Sequence, residues 1–149
     1  MNELKALSVR QPWAWAIIHA GKDVENRLWR PSHPGVRFRG PVCIHAARGM
    51  TQDEYEEARS FMGMFGTACP PAHKLLRGGI IGTVEVVDFV KKSDSPWFMG
   101  ASGLVLANPK PCEFIPARGE LGFFNWKRDE SLSPPEVSKW MRERPSALL

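Results

Sequence analysis

Leu7–Arg27, LSVRQPWAWAIIHAGKDVENR, decides how this chain folds. Ser8 to Gln11 predicts a short strand leading into Pro12, which suits the first helical position because its missing N–H has no partner to lose there. Trp13, Ala16, Ile17 and Ala20 follow at i, i+3, i+4 and i+7, one apolar face of a helix of about two and a half turns. Gly21 supplies the C-terminal cap. So short a helix draws its stability from packing rather than from propensity. The pattern then changes to alternation, with Asp23, Glu25 and Arg27 on one face and Val24, Asn26 and Leu28 on the other. In a strand, Glu25 and Arg27 stand about 7 Å apart on the same face. Lys22 begins this strand, where its stem leans over that face. A strand, helix and strand carrying three ionisable groups reads as a place for a polar or anionic ligand.

Outward from this unit, Pro31–Gly35 (PSHPG) is a turn by composition. Val36 to Ala46 predicts one or two strands broken near Gly40-Pro41. Thr51 and Glu54 form a capping box that opens an acidic helix running to about Met62. Its carboxylates Asp53, Glu54 and Glu56 suit the positive end of the helix dipole, a structural role. Residues 63–79 are rich in glycine and proline and read as a loop. GIIGTVEVVDFV, Gly79–Val90, is the strongest strand, rich in β-branched residues. Gly103–Ala107, Cys112–Ile115 and Leu121–Trp126 are further strands, and a second capping box at Ser133–Glu136 opens a last helix burying Val137, Trp140 and Met141. RERPSALL closes the chain as a frayed tail. Five to seven short strands with two or three helices predict an α+β protein, a small closed or nearly closed β-barrel with short helices packed on it. A doubly wound parallel sheet is disfavoured, because the strands come in clusters.

The 149 residues suit one domain, with a core over about residues 4–127 and a C-terminal helix and tail over 128–149. Hydrophobic content of 43% and charged content of 24% are ordinary for a soluble globular protein. No apolar run approaches the roughly 20 residues that span a bilayer. The N-terminus lacks the apolar core of a signal peptide, so a cytoplasmic location is expected. Cys43, Cys69 and Cys112 are odd in number, far apart and form no CxxC pair, which argues against a disulfide framework or a zinc site. Cys69 and His73 lack further partners, and no metal or cofactor is expected.

Charge is unevenly placed. The net charge is +4, yet between Asn26 and Gln52 there is no Asp or Glu, while Arg27, Arg30, Arg37, Arg39 and Arg48 all fall there. Such a segment is either the footprint of phosphate binding or a solvated face of alternating arginines.

The series LSVRQPWAWAIIHAGKDVENR resembles the opening of ASCH domains, a PUA-like β-barrel family whose signature reads G-x-K-x-x-E-x-R or, as here in Gly21–Arg27, has the glycine directly before the lysine. Gln11–Ala14 (QPWA), the strand GTVEVVDF and the later segment SPWFMGASGLVLANPKPCEFIPARGELGFFNW carry the same likeness, over roughly residues 4 to 127. QPWA resembles in particular the branch found in a transcription coactivator. The resemblance implies a barrel with a cleft beside the first helix and following strand, and RNA or nucleotide binding. Some family members are hydrolases, either N4-acetylcytidine amidohydrolases or ribonucleases. Lys22 matches the catalytic lysine of the amidohydrolase branch. That branch has a nucleophilic threonine where this chain has Glu25.

The candidate site residues follow. Lys22 and Glu25 are the candidate catalytic pair, a desolvated lysine accepting a proton while the carboxylate polarises water; otherwise they form a structural ion pair. Arg27 either forks onto a phosphate or pairs with Glu25. Trp13 and Trp97 are candidate walls for stacking on a base, each with a packing role as the alternative, and Trp15 competes with Trp13. His45 is a proton shuttle, a hydrogen-bond partner for a base, or a satisfied interior histidine. Ser8 either donates to a ligand or caps backbone groups. Arg37, Arg39 and Arg48 would steer phosphates. The leading expectation is a domain binding RNA, a nucleotide or a modified nucleoside in a cleft lined by Lys22, Glu25 and Arg27, with DNA as a further ligand. The alternatives are a hydrolase using Lys22 and Glu25, and a protein-interaction module with Trp97 and Phe98 as its contact.

Overall fold

The computed structural model describes residues 3–142. Six strands, β1 (Ala6–Val9), β2 (Val24–Asn26), β3 (Gly40–Ala46), β4 (Gly79–Val90), β5 (Gly103–Pro116) and β6 (Phe123–Phe124), form one mixed sheet in the order β2-β5-β4-β3-β1-β6. Helices α1 (Trp13–His19), α2 (Gln52–Gly63) and α3 (Lys139–Arg142) lie in the connections and near the C-terminus. All pairings are antiparallel except that of β1 with β3. That parallel pair needs a long crossover, which α1 and β2 supply.

The expected barrel is not closed. The edge strands β2 and β6 are three and two residues long and do not pair with each other. Side chains cross the gap instead. Arg27, just after β2, donates from Nη2 to the Ser8 carbonyl in β1 at 2.8 Å, and Trp29 meets Phe123 of β6 edge-on at 5.8 Å. Edges this short give little ladder to extend.

Alternation along β1 and β3 sets the two faces. Leu7, Val9, Val42, Ile44 and Ala46 join the main core, where Ala14, Ile17 and Ile18 of α1 pack on them with Val84, Val86, Leu104 and Leu106. Ala6 and Cys43 point the other way, into a second cluster with Ile80, Ala117, Phe124 and Trp126. Ser8 and His45 belong by period to that second face.

The helix after Pro12 forms as expected but spans only two turns, with Pro12 at the N-cap position and Gly21 at φ +74°, the left-handed region that glycine tolerates. Both arms of the Thr51–Glu54 capping box are made, and β4 has the expected limits. Other expectations change: the first strand falls at Ala6–Val9 rather than Ser8 to Gln11, and the strand expected over Leu121–Trp126 shortens to Phe123–Phe124. Val36 and Arg37 lie in a 3-10 turn over Pro34–Arg37, closed by Gly35 N–H donating to His33 Nδ1 at 2.9 Å, rather than in a strand. The two strands expected within 103–115 are one strand, β5, which absorbs Asn108 at φ +53° through register irregularities against β4. The last helix begins at Lys139, not near Ser133. Arg48 takes the Pro134 carbonyl at 3.3 Å and Arg77 takes that of Glu136 at 2.7 Å, so these oxygens serve tertiary bonds instead of a helical ladder. Val137, Trp140 and Met141 pack as expected. Of the expected tail, residues 143–149 lie outside the described residues.

Candidate functional site

Lys22, Glu25 and Arg27 meet in one network. Gly21 turns the chain out of α1, and the Lys22 backbone N–H returns to the Ala16 carbonyl at 3.1 Å, which aims the lysine inward. Lys22 Nζ donates to the Val24 carbonyl, stands 3.4 Å from Glu25 Oε1 and lies 5.6 Å from the Trp13 ring centroid. Arg27 Nε donates to Glu25 Oε2 at 3.1 Å, and its guanidinium lies 5.6 Å from the Trp29 ring centroid. The three side chains are 3%, 11% and 21% exposed, so only the Arg27 end reaches solvent appreciably. Burial pushes the Lys22 ammonium below its ordinary range, against the opposing pull of Glu25.

The pocket side of the sheet holds a different pair. Ser8 and His45 are register partners across β1 and β3. Ser8 Oγ lies 3.0 Å from His45 Nδ1, and His45 Nε2 lies 2.7 Å from the Ala117 carbonyl oxygen. A carbonyl only accepts, so Nε2 carries the proton and Nδ1 accepts from the Ser8 hydroxyl. A register irregularity between Ile44 and His45 sits at this point of β3. His45 is 1% exposed, and burial holds its imidazole below the ordinary value near 6.5 and thus neutral.

Both residues line a cavity of about 720 Å³ whose walls also carry Arg10, Arg48, Arg118 and Glu120. Arg10 is held by Glu54, its Nη2 donating to Oε1 at 2.6 Å, which raises the arginine and lowers the carboxylate from their ordinary values. Arg118 stands 3.7 Å from Asp129 and is 77% exposed. Arg48 makes no ion pair among the described residues. Behind the wall, the buried Arg77 donates to the backbone carbonyls of Arg48 and Glu136 and so ties the segment before α3 to the cavity. Arg77 is lowered by burial and by the Arg48 charge. Gly119 stands over the Ser8–His45 pair. A Cβ there would lie 2.7 Å from His45 Cε1 and 3.1 Å from Ser8 Oγ, so only glycine leaves that space open.

The expected site residues therefore divide. Ser8, His45 and Arg48 share the cavity, and Arg27 touches it through the Ser8 carbonyl. Trp13 and Trp97 pack against each other edge-on, with centroids 6.4 Å apart, in the cluster under α2, where Trp97 is buried. Trp97 is further held through its carbonyl by Asn26 Nδ2 at 2.9 Å. Arg37 lines a second cavity of about 540 Å³ with Lys5, His33, Phe38, Leu121 and Phe123. Arg39 reaches Asp88 at 3.5 Å on the surface. Sequence reasoning missed Arg10, Arg118 and Gly119 as cavity residues. Arg10 flanks the QPW stretch and was legible as a cation, whereas Arg118 and Gly119 lie over 100 residues from Ser8 and carry no local pattern. Among the described residues no group of three or more His, Cys, Asp or Glu is placed to hold a metal ion, and no helix is long and apolar enough to cross a membrane.

An open mixed sheet, helices in its connections and a cavity lined by Arg10, Arg48, Arg118 and Glu120 define a small α+β domain with a charged pocket. The ASCH domain family model matches residues 7–113, more than half of the chain, and the protein belongs to the ASCH domain family, a PUA-like fold. Membership points to RNA binding or a related function in general. No curated protein matches the chain.

Proposed function

We propose that this domain binds RNA, a nucleotide or a modified nucleoside in the cavity over Ser8 and His45, beside the GKDVENR motif. The observation that supports this most is the convergence of Arg10, Arg48 and Arg118 around a cavity of about 720 Å³ with a paired hydroxyl and imidazole in its lining. Arginine forks match phosphate oxygens, and the Ser8 oxygen, its proton given to His45, keeps acceptor lone pairs for a base or ribose. Lys22, Glu25 and Arg27 act behind this surface, holding the Ser8 carbonyl and the turn out of α1 in place. A hydrolase working through Lys22 and Glu25 has less support, because Nζ is spent on the Val24 carbonyl and lies under Trp13.

Tryptophan fluorescence against mononucleotides and short single-stranded RNA and DNA tests the reading. With two or three phosphates neutralised, single-strand affinity falls by roughly 7- to 18-fold when salt rises fourfold. Arg48→Glu and Arg118→Glu each weaken binding further and flatten the salt slope. Affinity indifferent to salt and to both reversals would remove the cavity as the binding site.

A further inference from the structure

We propose that Ser8 is an acyl-accepting nucleophile, with His45 as its general base, acting on carboxylic esters whose alcohol portion carries a phosphate. This inference rests on the reading of the cavity as an anion site and adds chemistry to it.

A serine hydroxyl is a poor nucleophile until a base within hydrogen-bond reach takes its proton and a third group holds that base in the right tautomer. All three parts are present. Ser8 Oγ is 3.0 Å from His45 Nδ1, and the Ala117 carbonyl, 2.7 Å from Nε2, dictates that Nδ1 is the acceptor. The same carbonyl would receive the Nε2–H bond of the imidazolium formed after proton transfer, which lessens the cost of a charged ring in a buried position. The parts are rigidly mounted. Ser8 and His45 are opposite one another on adjacent strands of the sheet, and Arg27 holds the Ser8 carbonyl at 2.8 Å. Burial keeps the imidazole neutral, the form a base requires. The approach is open because position 119 is glycine, where any side chain would enter the space 3.1 Å from Ser8 Oγ. Arg48 and Arg118 on the same cavity wall suit the phosphate of the alcohol portion.

The step balances without a further reagent. Ser8 Oγ bonds to the acyl carbon as its proton passes to His45 Nδ1. The ester C–O bond breaks, and the leaving oxygen takes the proton from His45. Water then attacks the acyl-serine and gives its proton to His45, which returns one to Ser8 Oγ as the acid departs. Ester and water become acid and alcohol, with no redox change.

The test treats the full chain with a fluorophosphonate probe and maps the adduct by mass spectrometry, with p-nitrophenyl acetate as a second acyl donor. The expected result is one adduct per chain on Ser8, absent in Ser8→Ala and present in Ser8→Cys with the acetyl donor. Labelling in the unmodified protein stays level as pH falls just below 6.5, where a free imidazole would be more than half protonated, and declines only lower. Gly119→Ala, with a circular dichroism spectrum like that of the parent, labels at least about 10-fold more slowly because its methyl fills the approach. An unlabelled Ser8, or labelling spread over other serines, overturns the proposal. The nucleotide titration run on the same protein separates the two readings. Binding without an adduct sinks the nucleophile and leaves the ligand site, whereas an adduct without nucleotide binding keeps the nucleophile and removes the phosphate-bearing substrate class.

Discussion

Replacing Glu25 by Gln removes one charge from a three-member network and leaves two cations facing each other. Lys22 Nζ is 3.4 Å and Arg27 Nη2 3.1 Å from the carboxylate, and the lysine side chain is only 3% exposed. Breaking a buried pair by removing one partner costs roughly 3–5 kcal/mol, because the surviving charge stays desolvated. Arg27, 21% exposed, recovers some hydration, so the lower end of that range, about 3 kcal/mol, is expected. In a chain of this length, this corresponds to a midpoint lowered by about 6–12 °C. Urea and thermal unfolding followed by circular dichroism measure the loss.

The pH dependence carries the sign. Lys22 titrates below its ordinary 10.5 in the folded protein, so the unfolded chain binds more protons between the two values, and stability rises with pH across that window. Without Glu25 the folded value falls further and the window widens downward. The gap between Glu25→Gln and the parent therefore narrows as pH is raised from neutral toward about 10. Lys22→Met combined with Glu25→Gln removes the stranded ammonium and restores about 1 kcal/mol or more relative to Glu25→Gln alone. A Glu25→Gln protein within about 0.5 kcal/mol of the parent at pH 7 would refute the argument, since a surface substitution costs that little.

Two further outcomes follow from neighbouring elements. Thr51→Ala loses the side-chain acceptor for the Glu54 N–H and lowers stability by about 1 kcal/mol in urea melts, with Glu54 still free to hold Arg10. His45, lowered by burial, contributes stability that is fully present above pH 6.5 and is lost as pH falls through its folded value; His45→Gln flattens this acid limb, and an unchanged slope would show that the imidazole does not titrate on unfolding.

Local pattern made much of this molecule legible. Trp13, Ala16, Ile17 and Ala20 at helical spacing, Gly21 after them, the Thr51–Glu54 box and the β-branched run Gly79–Val90 each specify their element through contacts close in sequence. Segments whose backbone groups are claimed from far away were misread. Pro134 and Glu136 follow a capping-box motif, yet their carbonyls go to Arg48 and Arg77, and helix α3 starts later. Gly103–Ala107 and Cys112–Ile115 read as two strands because nothing local shows that β4 runs the full length of both and holds them as one.

The candidate site divides along the same line. By itself the sequence determined that Glu25 and Arg27 share a face, because period-2 alternation places them there, and that Lys22 enters beside them directly after the glycine turn. Only the tertiary structure decided that the network is mostly buried and that the open cavity belongs to Ser8, His45, Arg48 and Arg118. The parallel pairing of β1 with β3 sets Ser8 against His45 across 37 positions, and Ala117 and Gly119 arrive from beyond β5 to fix the tautomer and keep the approach clear. Those contacts join residues far apart in the chain, and their geometry exists only once the sheet has formed.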